Sequence, residues 1–184
     1  MKQENNTFKL IEMSLYAALI VVAISFKIPL PSALSNSFVH CGNALVALSI
    51  LLMGFRRGLV ASSLGLFVFD VTYGYANEAI FVVMESVLVL LIMEGVYRTF
   101  FKRQPSQLAV LVLGLVAAIS KVVIIYWEFV IGQMFLGNPL KQAMAVALTG
   151  MPASVFTAIA TAILVPLLFY PMSKIVGRYH PIGQ

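Results

Sequence analysis

Between Ser106 and Gly132 the chain reads SQLAVLVLGLVAAISKVVIIYWEFVIG, an apolar run that carries Lys121, Trp127 and Glu128. A charged side chain at the centre of a bilayer costs roughly 3 kcal/mol or more unless it faces protein or a wet cavity. Ionisable residues inside such a run therefore point to a site. Lys121 and Glu128 are seven residues apart, two helical turns, and project from one helix face. Glu85 and Asp70 sit in other apolar runs. Two arrangements are open: Lys121 and Glu128 read one ligand, or Lys121 pairs with Glu85 across a helix interface as a structural ion pair. Asp70, close to the end of its run, is either at the mouth of a site or a solvated helix-end group. Glu94 precedes Arg98 by one turn, the spacing of an ordinary ion pair along a helix.

Aromatic residues collect at the level of Glu128: Tyr73, Tyr75, Phe81, Tyr126, Trp127 and Phe38. An interfacial aromatic belt accounts for most of them. The sharper expectation is a stacking pocket for a flat heteroaromatic ligand, with Trp127 as its stacking ring and His40, Asn43 and Asn77 as polar neighbours.

The elements that must position these groups follow from composition. With 61% hydrophobic and 10% charged residues and a mean hydropathy of +0.98, a soluble domain would expose large apolar patches. The chain reads as an all-α integral membrane protein, a single bundle of six transmembrane helices at about 10–26, 38–55, 58–74, 79–101, 106–132 and 152–172. Glu4 and Glu12 flank the first run and no small-x-small site follows it, so it is read as a helix and not as a cleaved leader. Pro29 and Pro31 make the first loop extended. The piece KQAMAVALTG after Gly137-Asn138-Pro139 is too short to span, and rides on the surface or plugs an opening. Pro152 suits the first turn of the last helix, and Pro166 is a candidate kink within it.

Nine of the twelve basic residues (Lys2, Lys9, Arg56, Arg57, Arg98, Lys102, Arg103, Lys174 and Arg178) fall on one side of such a bundle. That asymmetry places both termini in the cytoplasm. It also accounts for the pI near 9.5 without nucleic acid, which would need a basic patch on a soluble face. The single cysteine, Cys41, allows no internal disulfide and no cysteine-pair metal or redox motif. No phosphate-loop, HExxH, GxSxG or CxxC motif is present, so neither ATP hydrolysis nor a catalytic centre is expected. Small residues recur at close-packing spacing: Ser14 with Ala18, Gly58 with Ser62, Ala61 with Gly65, and Ser154 with Ala158 and Ala162. These are internal packing, or, where they face lipid, a docking surface for another membrane protein.

Six helices in about 180 residues, a first helix reading SLYAALIVVAISF, a proline-bearing first outer loop, and RRGLVASSLGLFVFDVTYGY after helix two together resemble the substrate-binding S components of energy-coupling factor (ECF) vitamin transporters. The resemblance covers the whole chain and rests on architecture. It implies a protein of the prokaryotic plasma membrane, without enzymatic activity or a cofactor of its own. Such a protein binds a vitamin or precursor at the outer side through the first loop and helices four to six. It then docks on a transmembrane coupling subunit driven by two ATPase subunits, which use the ATP, and topples to release the ligand inside. The family's alanine-x-x-x-alanine docking motif on helix one is matched here by Ser14 and Ala18, with Ala17 beside them. Carried to the pocket, it implies ligand contacts at the positions of Lys121, Trp127 and Glu128 on helix five, Glu85 on helix four and the first loop, to which residue chemistry adds Tyr126, Asn43, His40 and Asn77. Mixed charge and aromatic walls suit a pyridoxine-like or hydroxymethylpyrimidine-like molecule. The alternative is a self-sufficient secondary transporter working through an intramembrane lysine and acid pair. Inverted repeats expected of one are not evident. A small membrane enzyme using Asp70 and Glu85 as acid and base finds no nucleophile or metal cluster to support it.

Overall fold

The computed structural model describes residues 6–29 and 38–177. Lys2, Glu4, Pro31 and Arg178, used in the expectations above, lie outside the described residues. The described chain forms seven helices: α1 (Asn6–Ser25), α2 (Gly42–Met53), α3 (Phe55–Thr72), α4 (Ala79–Phe101), α5 (Gln107–Phe135), α6 (Leu140–Thr149) and α7 (Pro152–Val176). Two short strands, β1 (Ile28–Pro29) and β2 (Phe38–Val39), pair antiparallel, Ile28 opposite Val39 and Pro29 opposite Phe38. The extended backbone expected at Pro29 is thus part of a strand pair.

Four helices, α1, α4, α5 and α7, are long and apolar enough to cross a membrane. The second predicted span, 38–55, is instead the 12-residue α2. Phe38 and Val39 are drawn into strand pairing, and Gly54, at φ 80°, ends the helix in a conformation that side chains with a Cβ rarely adopt. All of α2 except the half-buried Asn43 is buried, and it touches α1, α3, α4, α5 and α7. A helix apolar on every side has to be a central one.

Gly54 also lets α3 start at once, so Arg56 and Arg57 belong to the first turn of α3 and not to an exit loop. Arg57 Nε donates to the carbonyl of Met53 at 2.9 Å, covering an open carbonyl at the end of α2, and its Nη1 meets Glu12 of α1 at 3.2 Å. Beyond that turn the α2 and α3 backbones nearly touch. Ser49 Oγ lies 2.7 Å from the Val46 carbonyl and 3.1 Å from that of Gly58, and accepts a hydrogen bond from Ser62 Oγ at 2.8 Å. A Cβ on Gly58 would sit 2.6 Å from the Ser49 backbone, and one on Gly65 would sit 2.8 Å from the Ala17 carbonyl. The small residues of α3 are therefore internal packing. Ala17, expected on a docking surface, is buried in this α1 to α3 contact, whereas Ser14 and Ala18 are exposed.

At the end of α4, Lys102 and Arg103 take positive φ, 47° and 58°. The reversed chain carries Arg103 back over the last turns, where it pairs with Glu94. The expected Glu94 to Arg98 pair is replaced by this one, because the left-handed cap brings a later residue closer. The short piece after Pro139 is the helix α6, which lays Ala143 and Ala147 on Val130 of α5, flanked by Tyr126 and Phe129. The last helix runs on through Pro166 and Pro171 to Val176.

Gly58→Val should lower stability by about 3 kcal/mol or more, since the added carbons meet backbone that cannot move aside. Gly95→Ala, whose new Cβ meets nothing within 4 Å, should change it by about 1 kcal/mol or less. Thermal unfolding of the two detergent-solubilised variants compares them directly.

Candidate ligand-binding site

The connectivity gives the bundle two unlike ends. The starts of α1 and α3 and the ends of α2 and α4 share one, and carry Lys9, Arg56, Arg57, Arg98 and Lys102. At the other end lies a cavity of about 320 Å³, within the usual size for a small-molecule site. Its lining comes from the last turns of α1 (Ile24) and α3 (Leu66, Phe69, Asp70), from β2 and the step into α2 (Phe38, His40, Asn43), and from the turn before α4 (Tyr75, Glu78). The first half of α4 (Phe81, Val82, Glu85), the second half of α5 (Lys121, Ile125, Glu128, Phe129) and the first turns of α7 (Ala153, Ser154, Thr157) complete it.

Lys121 and Glu85 form a salt bridge across the α4 and α5 interface, both side chains little exposed. Each charge is thereby offset where the surroundings are apolar. Glu128 faces the same space as this pair, so a second carboxylate stands beside an ammonium already bonded to Glu85. Glu128 Oε2 is buried without a partner among the described residues, as are Asp70 Oδ2 and Thr157 Oγ1. All three residues line the cavity. A buried oxygen left unbonded costs on the order of 1–3 kcal/mol, and three converging on one space mark it as built for something polar. Beside Lys121 a second space of about 10 Å³, near the size of one water, is lined in part by Asn43, Ser86 and Thr161.

Donors come from Lys121, Asn43 and His40. The backbone N–H of Gly42 donates to His40 Nδ1 at 3.1 Å. That bond leaves the proton of a neutral ring on Nε2. Burial, and then the positive charges of Lys121 and Lys27, push the His40 pKa down to about 3, so the ring is neutral at physiological pH. The aromatic wall is Phe38, Phe69 and Tyr75, with Phe38 and Tyr75 centroids 5.6 Å apart and Phe69 and Tyr75 nearly parallel at 13°. Lys27, at the start of the first loop, donates to Tyr75 Oη at 2.7 Å and holds its ammonium 4.3 Å from the Tyr75 ring and 4.6 Å from that of Phe38.

Of the residues expected at the site, Lys121, Glu128, Glu85, Asn43 and His40 line the cavity, and Asp70 does so from a buried position. Trp127 does not. It follows Glu128 by one residue around α5, about 100° of rotation, and falls in the exposed stripe Ile119, Val123, Trp127, Ile131. Tyr126 also stays outside, packed on the α5 to α6 contact. Asn77 is exposed in the turn before α4, and its neighbours Tyr75 and Glu78 reach the cavity instead. Phe69, Glu78 and Thr157 were not anticipated. For Thr157 a signal existed: Ser154, Thr157 and Thr161 recur at three and four residues along α7, a polar face hidden beneath the more obvious ladder of small residues.

The model of the family described as ECF-type riboflavin transporter, S component, matches residues 4–174. A solved structure described as the S component of a bacterial ECF transporter covers 94% of this chain and 99% of its own, with TM-score 0.69 and 16% sequence identity, a likeness of fold. No curated protein matches the chain. The family is one of transporter subunits and not of enzymes. With the match running from the start of α1 into α7 and the fold shared throughout, the chain belongs to the ECF-type riboflavin transporter S component family.

Proposed function

We propose that the chain captures a vitamin or vitamin precursor in the cavity described above and passes it inward by docking on an ATP-driven coupling module. That module would comprise a transmembrane coupling subunit and two ATPase subunits, in a prokaryotic plasma membrane. The observation that carries this reading is the convergence of three unpartnered buried oxygens, on Asp70, Glu128 and Thr157, upon one cavity. In this reading α1 to α5 and α7 make six crossings, the basic end is cytoplasmic by the positive-inside rule, and the cavity opens outward. Lys121, Glu128, Glu85, Asn43, His40 and Asp70 are the proposed ligand contacts.

The ligand we favour is a single flat ring bearing hydroxyl or amino donors, pyridoxine-like or hydroxymethylpyrimidine-like. Its donors would satisfy the open oxygens while the ring lies against Phe38, Phe69 and Tyr75. The family's description favours a second reading, riboflavin. The self-sufficient secondary transporter is not favoured by family membership, and uptake by this chain alone, abolished by an uncoupler, would be its sign.

Native mass spectrometry of the purified subunit should show one small heteroaromatic molecule bound, and cells should accumulate it only when a coupling module is co-produced. An empty subunit that also ignores a panel of B vitamins would defeat the proposal. On the exposed Ser14 and Ala18 face of α1, Ala18→Trp should abolish uptake while leaving ligand affinity intact. Lys121→Met should cost about 3–5 kcal/mol in stability by stranding Glu85, and adding Glu85→Gln should restore much of it. If the single variant instead folds normally and loses only affinity, Lys121 serves the ligand and the pair is dispensable to the fold.

A further inference from the structure

The cavity is unbalanced in charge. Asp70, Glu78, Glu85 and Glu128 line it against the single ammonium of Lys121, and that ammonium is already committed to Glu85. A proton shared between Glu85 and Glu128, and the Lys27 ammonium against the Phe38 and Tyr75 wall, offset two of the three remaining charges and leave one carboxylate in excess. Asp70 is only 5% exposed, its Oδ2 has no partner among the described residues, and burying a carboxylate unpaired is costly. Water or a neutral donor can supply hydrogen bonds to it but cannot neutralise the excess.

A second observation is independent of the carboxylates. Two rings of the cavity wall, Tyr75 and Phe38, already hold a cation, the Lys27 ammonium, at 4.3 and 4.6 Å from their centroids. Aromatic faces at that distance attract positive charge. Carboxylates on one side and cation-holding rings on the other form a recognition surface for a flat ring that is itself positively charged.

Resting on the proposal that this cavity binds a vitamin-like heterocycle, we infer that its ligand is a cationic heteroaromatic, a ring carrying a protonated or quaternary nitrogen. Asp70 and Glu128 are its counter-ions, and the Phe38 and Tyr75 faces are its stacking partners. A neutral flavin would leave the charge excess standing.

The test is calorimetric titration of the full chain in lipid nanodiscs with matched rings. Pyridoxine methylated at the ring nitrogen is compared with the analogue having C–H in place of that nitrogen, and thiamin, a permanent cation, with riboflavin, a neutral ring. The tightest ligand should be cationic, and it should bind about tenfold or more tighter than its neutral counterpart. Asp70→Asn or Glu128→Gln should close that gap by weakening the cationic member. Riboflavin or the C–H analogue binding as tightly as the cations would overturn the inference while leaving the vitamin-binding reading intact. A gap that persists in both variants would overturn the assignment of the counter-ions. No binding by any probe, together with an empty native mass spectrum, would defeat both readings.

Discussion

Lys121 and Glu85 hold each other across two helices where neither charge could stand alone. In a medium with little water, an ammonium without a carboxylate is expensive, and the attraction that offsets the cost works only at contact. The pair therefore joins α4 to α5 at the level of the cavity. It also determines what remains: once Lys121 is committed to Glu85, the carboxyl of Glu128 and the buried Asp70 have no cation left within the lining. The polarity of the cavity is thus a consequence of one ion pair and its shortage of positive charge.

The space itself comes from unequal helix lengths. α2 occupies the centre of the bundle but is only 12 residues long, about 18 Å, and its neighbours extend beyond its first turn. Above Asn43 the bundle has walls and no central column, and there the cavity lies. Residues that belong to six different helices can meet because the central one stops short. The positive end of the α2 dipole faces the same space, which helps a cluster of carboxylates to exist there. Gly54 and Gly58 set the other boundary. They allow α2 and α3 to fold back in contact, so the core below the cavity is dense where Ser49 and Ser62 share their hydrogen bonds.

An S component has to recognise its ligand while presenting another surface to its partners, and in the proposed reading the two demands fall on different parts of this chain. The polar lining of the cavity is confined to the helix ends around α2. The exposed side of α1, with Ser14 and Ala18, is remote from it along the helix and is built of small and aliphatic side chains. Burial of Ala17 against Gly65 does not weaken this division. It fixes the rotation of α1, which leaves Ser14 and Ala18 facing outward.

Membership of the membrane class, the positions of the long helices and the need of Lys121, Glu85 and Glu128 for a polar or protein-facing setting were all legible in the sequence, because the cost of a charge in hydrocarbon does not depend on the fold. The family resemblance was legible as well, since length, loop placement and charge asymmetry survive in the order of residues. Which side of a helix meets the cavity was not. Trp127 and Glu128 are neighbours in the chain, yet about 100° of helical rotation separates a lipid-facing ring from a buried carboxylate, and only packing against α4, α6 and α7 decides which is which. The partner of Glu94 depended on a left-handed cap that no local pattern announces. Thr157 and Phe69 gained their roles from distant segments, and the shortness of α2 from a strand pairing between residues that frame the first loop. Local chemistry identifies the groups that need partners; tertiary structure assigns the partners, because contact distance is a property of the folded chain.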